Sequence, residues 1–184
     1  SLPSGNLWIS TTEVEISQWL KIMGFDPTFK GLPREPHEVN SRPIHECSVL
    51  AYEKFIKALS RREQLKYDFP TVMEFVNACK AGGSDVLYGK LDEIAWYNTN
   101  YRKNFNKHER LFIRPVGQKK PNAFGLYDMI GNTHEVCKDE DGYHFFGCDV
   151  YCPKEELMKI RSYPVKDASR NCGFTGLRLV LRPK

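Results

Sequence analysis

Two pairs of side chains in this sequence carry ligand atoms at usable spacings. Asn132 and Glu135, three residues apart at the end of a glycine-punctuated stretch, offer an amide oxygen and a carboxylate. Hard oxygens of this kind, completed by backbone carbonyls and water, suit calcium. The same oxygens serve equally well as acceptors for loop backbone N–H groups. Cys148 and Cys152 are four apart, and positions four apart on a strand share a face. They can meet as a soft-metal pair or a disulfide, or stand as two unrelated thiols. The histidines at 37, 45, 108, 134 and 144 show no ligand spacing. His134 beside Glu135 lacks the second histidine at helical spacing that a metalloprotease helix needs, so each histidine is expected to be packed or at the surface. Residues 138–142, Lys-Asp-Glu-Asp-Gly, read as an exposed turn whose carboxylates could attract a cation.

The first pair sits in the stretch that organises the chain, residues 115–135. Gly117, Gly125 and Gly131 allow positive φ there, and Pro115 and Pro121 fix the chain direction. Phe124, Leu126, Tyr127, Met129 and Ile130 are too apolar for a solvated linker. The loop is therefore expected to be packed and ordered, with Asn122, Asp128, Asn132 and Glu135 held in place. Ordered loops of this length are usually functional.

Helices and strands must position these groups. Ile16, Trp19, Leu20 and Met23 recur at helical spacing and Gly24 stops them. Ser48 is the expected N-cap of a second helix, with a stripe of Leu50, Ala51, Lys54, Phe55, Ala58 and Leu59 flanked by Tyr52 and Ile56. Thr71 and Glu74 form a capping box for a third, ended by Gly82-Gly83. Residues 24–43, rich in Pro and Gly, read as loop. Short strand-like pieces follow at 7–15, 86–88, 94–97, 111–114, 143–146 and 177–181. Helices early and short strands late predict an α+β chain. Trp19, Phe55, Phe75, Phe124, Leu126 and Leu179 are the expected core.

The segment Pro-Asn-Ala-Phe-Gly-Leu-Tyr-Asp-Met-Ile-Gly-Asn (121–132) closely resembles the signature of the formylglycine-generating-enzyme, or sulfatase-modifying-factor, family. Supporting matches are Glu13-Val14, Cys47-Ser48-Val49, Phe69-Pro70-Thr71 with Glu74-Phe75, and the closing Gly-Phe-Thr-Gly-Leu-Arg-Leu-Val at 173–180. They run from about Glu13 to Val180. The resemblance implies a variant of the C-type lectin fold, with two to three helices packed on short antiparallel strands and long ordered loops, as one domain over 1–184. It also implies that Asn132 and Glu135 hold a structural calcium. A second family calcium near Asn98 is expected to be lost, because residues 103–108 contain no carboxylate.

Activity in that family rests on a copper(I) cysteine pair behind a Gly-Gly-Ser turn, spaced Cys-x4-Cys. Here the turn is reduced to Gly147-Cys148, the spacing is Cys-x3-Cys, and both tryptophans of the family's Asn-x-Trp-Glu-Trp are replaced, by His134 and Val136. The expectation is a short member that binds rather than catalyses. Its display loops would present Arg102, Lys103, His108, Arg110, Asp149 and Tyr151 to a protein or other surface ligand. Phage, bacterial signalling and defence proteins use this scaffold in that way. The alternative is a copper-dependent oxidase converting a peptide cysteine to formylglycine with Cys148 and Cys152.

Composition is consistent with either. At 41% hydrophobic and 27% charged, the 184 residues suit a globular chain with a core that buries roughly 70% of its surface. No apolar run approaches the roughly 20 residues of a membrane helix. The net charge of +4 is spread out rather than gathered in an aromatic-laced stripe, which argues against nucleic acid. Six cysteines are too sparse for a disulfide scaffold. The chain shows no signal peptide, so a cytoplasmic or virion-borne protein is expected. It opens Ser-Leu-Pro and lacks the family's usual first segment, as a part cut from a larger polypeptide would.

Overall fold

The computed structural model describes residues 7–28, 41–102, 112–157, 159 and 161–183. In chain order the described elements are β1 (Trp8–Ile9), α1 (Ile16–Met23), α2 (Val49–Glu63), β2 (Lys66–Asp68), α3 (Val72–Lys80), α4 (Leu91–Ile94), β3 (His134–Asp139), β4 (Gly142–Phe146), α5 (Lys154–Leu157), β5 (Ser162–Pro164), β6 (Thr175–Gly176) and β7 (Val180–Arg182).

The helices start where local chemistry starts them. Ser48 Oγ accepts from Ala51 N–H at 3.2 Å to open α2. Thr71 Oγ1 accepts from Glu74 N–H at 3.1 Å while the Glu74 carboxylate accepts from Thr71 N–H at 2.8 Å, the expected box. α3 ends one residue before its glycines, with Ala81 itself left-handed at φ 48°. The predicted stripe of α2 is turned: Leu50 is 42% exposed, while Val49, Tyr52, Phe55 and Ile56 are buried. Tyr52 O–H reaches Thr175 O at 2.6 Å, and Phe55 stacks on Trp19 of α1 at 5.1 Å, so this face turns inward.

Two sheets complete the architecture. One has the order β1-β7-β2, with Leu181 of the middle strand opposite both Trp8 and Tyr67. The other runs β5-β4-β3-β6 and is antiparallel except for β3 and β6, which pair in parallel with His134 opposite Thr175. The strands expected at 86–88, 94–97 and 111–114 do not form: 86–88 and the described 112–114 are irregular chain, and 94–97 is the end of α4 followed by a single parallel bridge from Trp96 to Gly131. Val86, Ile94, Tyr97 and Ile113 are buried against the core, and among the described residues none of these segments extends into a ladder. Two apolar clusters result, one around Trp19, Phe55, Ile44 and Leu177, the other around Phe75, Cys79, Ile94, Met129 and Phe146. Of the six expected core residues only Phe124 is partly exposed, packed on the edge of the second cluster.

The loop over 115–135 is packed as expected. Asn122 donates to the carbonyls of Ala78 and Cys79, at 2.8 and 3.2 Å, and accepts from Phe124 and Leu126 N–H. One side chain thus closes the end of α3 and the loop's own turn. Gly131, at φ +79°, lets Asn132 N–H reach Trp96 O at 2.9 Å; a Cβ at 131 would lie 2.3 Å from that same oxygen.

Candidate functional site

Beneath the loop lies a buried polar cluster. Arg178 Nε donates to both oxygens of Glu135, at 3.1 and 2.9 Å, and Nη2 adds a third bond to Oε1 at 2.9 Å. Its remaining donors reach Ser10 O and Tyr127 O. Asn132 Nδ2 donates to Glu13 Oε1 at 3.1 Å and Arg114 O at 3.2 Å, and its Oδ1 accepts from Arg114 N–H at 2.9 Å. Asp128 Oδ2 accepts from Gly117 N–H at 2.6 Å. Two buried carboxylate oxygens, Glu13 Oε2 and Asp128 Oδ1, have no hydrogen-bond partner among the described residues.

Three carboxyls facing one guanidinium cannot all ionise comfortably in a dry interior. Burial, with Asp128 and Glu135 adding repulsion, pushes the Glu13 carboxyl well above its ordinary range. Burial also raises Asp128, against the pull of Gly117 N–H, Arg178 and Lys119. The crowding of negative charge thus favours the protonated form of Glu13.

The predicted calcium pair does not fit an ion here. Both Glu135 oxygens are occupied by Arg178, and Asn132 Oδ1 is turned to the Arg114 amide. The pair therefore offers no two free oxygens, and a guanidinium supplies the positive charge beside Glu135. Cys148 and Cys152 do not fit copper(I) either, because they are joined as a disulfide, with Cα atoms 5.6 Å apart. A thiolate pair is what copper(I) needs. At the β3–β4 turn, ligand atoms of Asp139, Asp141 and His144 lie within 4.8 Å of one another. Asp139 there also accepts from Val72 N–H, and His144 Nε2 sits 3.0 Å from Asp141.

Above the cluster, three predicted display residues come together. Tyr151 packs edge-on against Tyr101 (5.6 Å), Phe112 (5.5 Å) and Phe174 (4.8 Å). Arg102 lies over Tyr101 and Phe112, its Cζ 5.3 and 5.6 Å from the ring centroids, and its Nε donates to Tyr101 O–H at 2.7 Å. Asp149 Oδ1 accepts from Tyr151 N–H at 2.8 Å, and Oδ2 lies 3.7 Å from His134 Nε2. Lys103, His108 and Arg110 lie outside the described residues.

The backbone around Asn132 and His134 pins the face. Asn132 O accepts from Val150 N–H, and His134 N–H donates to Phe174 O. Asn98 N–H donates to Cys152 O, and the Asn100 side chain ties Tyr97 N–H to Ala95 O and Asp92. Tyr101, Phe112 and Phe174 were not legible as partners, because they come from separate irregular segments with no shared period. Their only signal is being aromatic in a loop.

This architecture is the formylglycine-generating-enzyme-type variant of the C-type lectin fold. The chain belongs to the family of sulfatase-modifying factor enzyme 1-like domains, whose model matches residues 6–182. Among solved structures it is similar to Treponema denticola variable protein 1, with a TM-score of 0.78, 21% identity, and 96% of this chain and 84% of that one covered. It is also similar to PvdO from Pseudomonas aeruginosa, with a TM-score of 0.73, 19% identity, and 95% and 80% covered. By sequence it is 28% identical to chaperone protein LppX of Paenibacillus barcinonensis, over 72% of this chain and 61% of that protein. It is 32% identical to serine/threonine-protein kinase pkn1 of Chlamydia pneumoniae, over 46% of this chain and 13% of the kinase. The chain thus spans about three fifths of the first relative's length and a small part of the second's. Among the described residues no helix is long and apolar enough to cross a membrane.

Proposed function

We propose that this chain is a polypeptide-binding module that presents Tyr151, flanked by Phe112 and Phe174 over the buried ring of Tyr101 and edged by Arg102 and Asp149, to a protein ligand. The observation that carries this is the convergence of three rings from three other segments around Tyr151, which nonetheless stays 40% exposed. Rigid tyrosines and a stacked arginine are the residue types that anchor interfaces, because they lose little freedom on binding. The name of the Paenibacillus relative, a chaperone protein, agrees with a surface that engages polypeptide.

Selection from a random-peptide phage library tests the reading. Clones chosen on the wild type should lose about tenfold or more of their binding to Tyr151→Ala and Phe174→Ala, the loss expected of an interface anchor. Unchanged melting would show that the variants are folded. Clones indifferent to both changes would overturn the proposal. The oxidase alternative has its own assay. Reduced, copper-loaded protein with oxygen and a Cys-x-Pro-x-Arg peptide would form an aldehyde, and would cease to do so in both Cys148→Ser and Cys152→Ser.

A further inference from the structure

We infer that the ligand of this face is an acidic polypeptide segment, with an Asp or Glu carboxylate seated on the outer edge of Arg102. The inference rests on the binding reading above and adds the chemistry of what is bound. Arg102 is exposed, yet its guanidinium is fixed from behind by two rings and by its Nε–H bond to Tyr101. Fixing the plane this way removes the rotamer freedom that a surface arginine otherwise gives up on binding. Nε is used. Nη1 and Nη2 have no hydrogen-bond partner among the described residues. That leaves N–H donors facing outward from a plane that already has its orientation, the geometry a carboxylate accepts with two oxygens.

The surroundings favour an acid over a base. A basic ligand would need an available carboxylate. Asp149, the carboxylate beside Tyr151, is turned inward: one oxygen accepts from Tyr151 N–H, the other faces His134, and the side chain is only 18% exposed. A cationic ligand would instead have to approach the rings past Arg102. The chain's net charge of +4 adds a weak long-range attraction for acidic partners. The rings beneath give an apolar floor, so the segment that fits has an apolar or aromatic residue beside its acid.

The same peptide selection reads this out separately from the binding proposal. Clones from the wild type should be enriched in Asp and Glu next to an apolar residue. Their binding should fall about tenfold or more in Arg102→Met, which keeps the apolar stem on the rings but removes the donors. Synthetic copies of the best clone in which the acid is replaced by its amide should lose binding to wild type and be indifferent to Arg102→Met. Clones that depend on Tyr151 but show neutral or basic enrichment, or that ignore Arg102→Met, would overturn the acidic assignment and leave the face standing. Clones that ignore both positions would overturn both.

Discussion

Arg178 and Glu135 meet as a fully enclosed ion pair, with side chains 0% and 1% exposed, joining the segment between β6 and β7 to β3. The guanidinium also holds the carbonyls of Ser10 and Tyr127. One side chain therefore ties the first turn of the chain, the central loop and β3 together.

Removing that cation should be severe. Arg178→Met leaves Glu135 uncompensated beside Asp128 and Glu13 and should cost about 3–5 kcal/mol in urea unfolding. Glu135→Gln on the Arg178→Met background should recover part of the loss, because the unpaired charge then disappears. A loss under about 1 kcal/mol for the single change would mean that the pair contributes little.

Glu13 gives stability an unusual pH dependence. Its carboxyl is held well above the ordinary 4.5 in the folded state, by burial first and then by Asp128 and Glu135. Native protein therefore keeps a proton that the unfolded chain has released. Its contribution is complete below about pH 4.5 and is lost as pH rises through the folded value. Glu13→Gln should remove this slope and stabilise relative to wild type as the medium becomes more alkaline. Glu74 runs the other way. Burial opposes its ionisation, yet the bonds from Arg182 and Thr71 hold it below 4.5, so its contribution fades as pH falls. Melting series from about pH 2 to 9 on both Gln variants would separate the two, Glu74→Gln losing its effect at the acid end and Glu13→Gln gaining its effect at the alkaline end.

The loop's close approach to Trp96 can be tested without touching charge. Gly131→Ala places a methyl against a backbone oxygen at a left-handed residue, and should cost more than about 2 kcal/mol or prevent folding. Gly125→Ala has the same φ sign but nothing within 4 Å, so it should lose only the smaller conformational term. Equal losses would show that strain, and not crowding, sets the cost at Gly131.

Much of this was written in the sequence, and the reasons are local. The caps at Ser48 and Thr71 depend on residues within three positions, and the punctuated loop carries its turn chemistry in its own glycines. The rotation of α2 was not legible, because Tyr52 is drawn inward by a carbonyl 123 residues away. Asn132 and Glu135 were legible as oxygen-bearing side chains held in the loop, but not what holds them, since the Arg114 backbone and the Arg178 guanidinium lie 18 and 43 positions off. At the proposed face, Arg102, Asp149 and Tyr151 were singled out from loop position, and the structure places them near one another. Its aromatic floor waits on tertiary folding.

Thiol counting tests the cysteine assignment. Unfolded without reductant, the chain should expose four reactive thiols, at 47, 79, 137 and 172, and six after reduction. Six without reductant would reopen the soft-metal reading of Cys148 and Cys152.

β7 is the middle strand of its sheet, although it is the last one made. A ribosome adds roughly 5–20 residues each second, so β1 and β2 exist for several seconds as two edges with nothing between them. Neither can pair with its neighbour, and the Glu135 carboxylate has no guanidinium to meet, until residues 178–182 emerge. Folding here is a closing act rather than a gradual one. Truncation behind Gly176 should therefore yield an aggregation-prone chain instead of a smaller folded one.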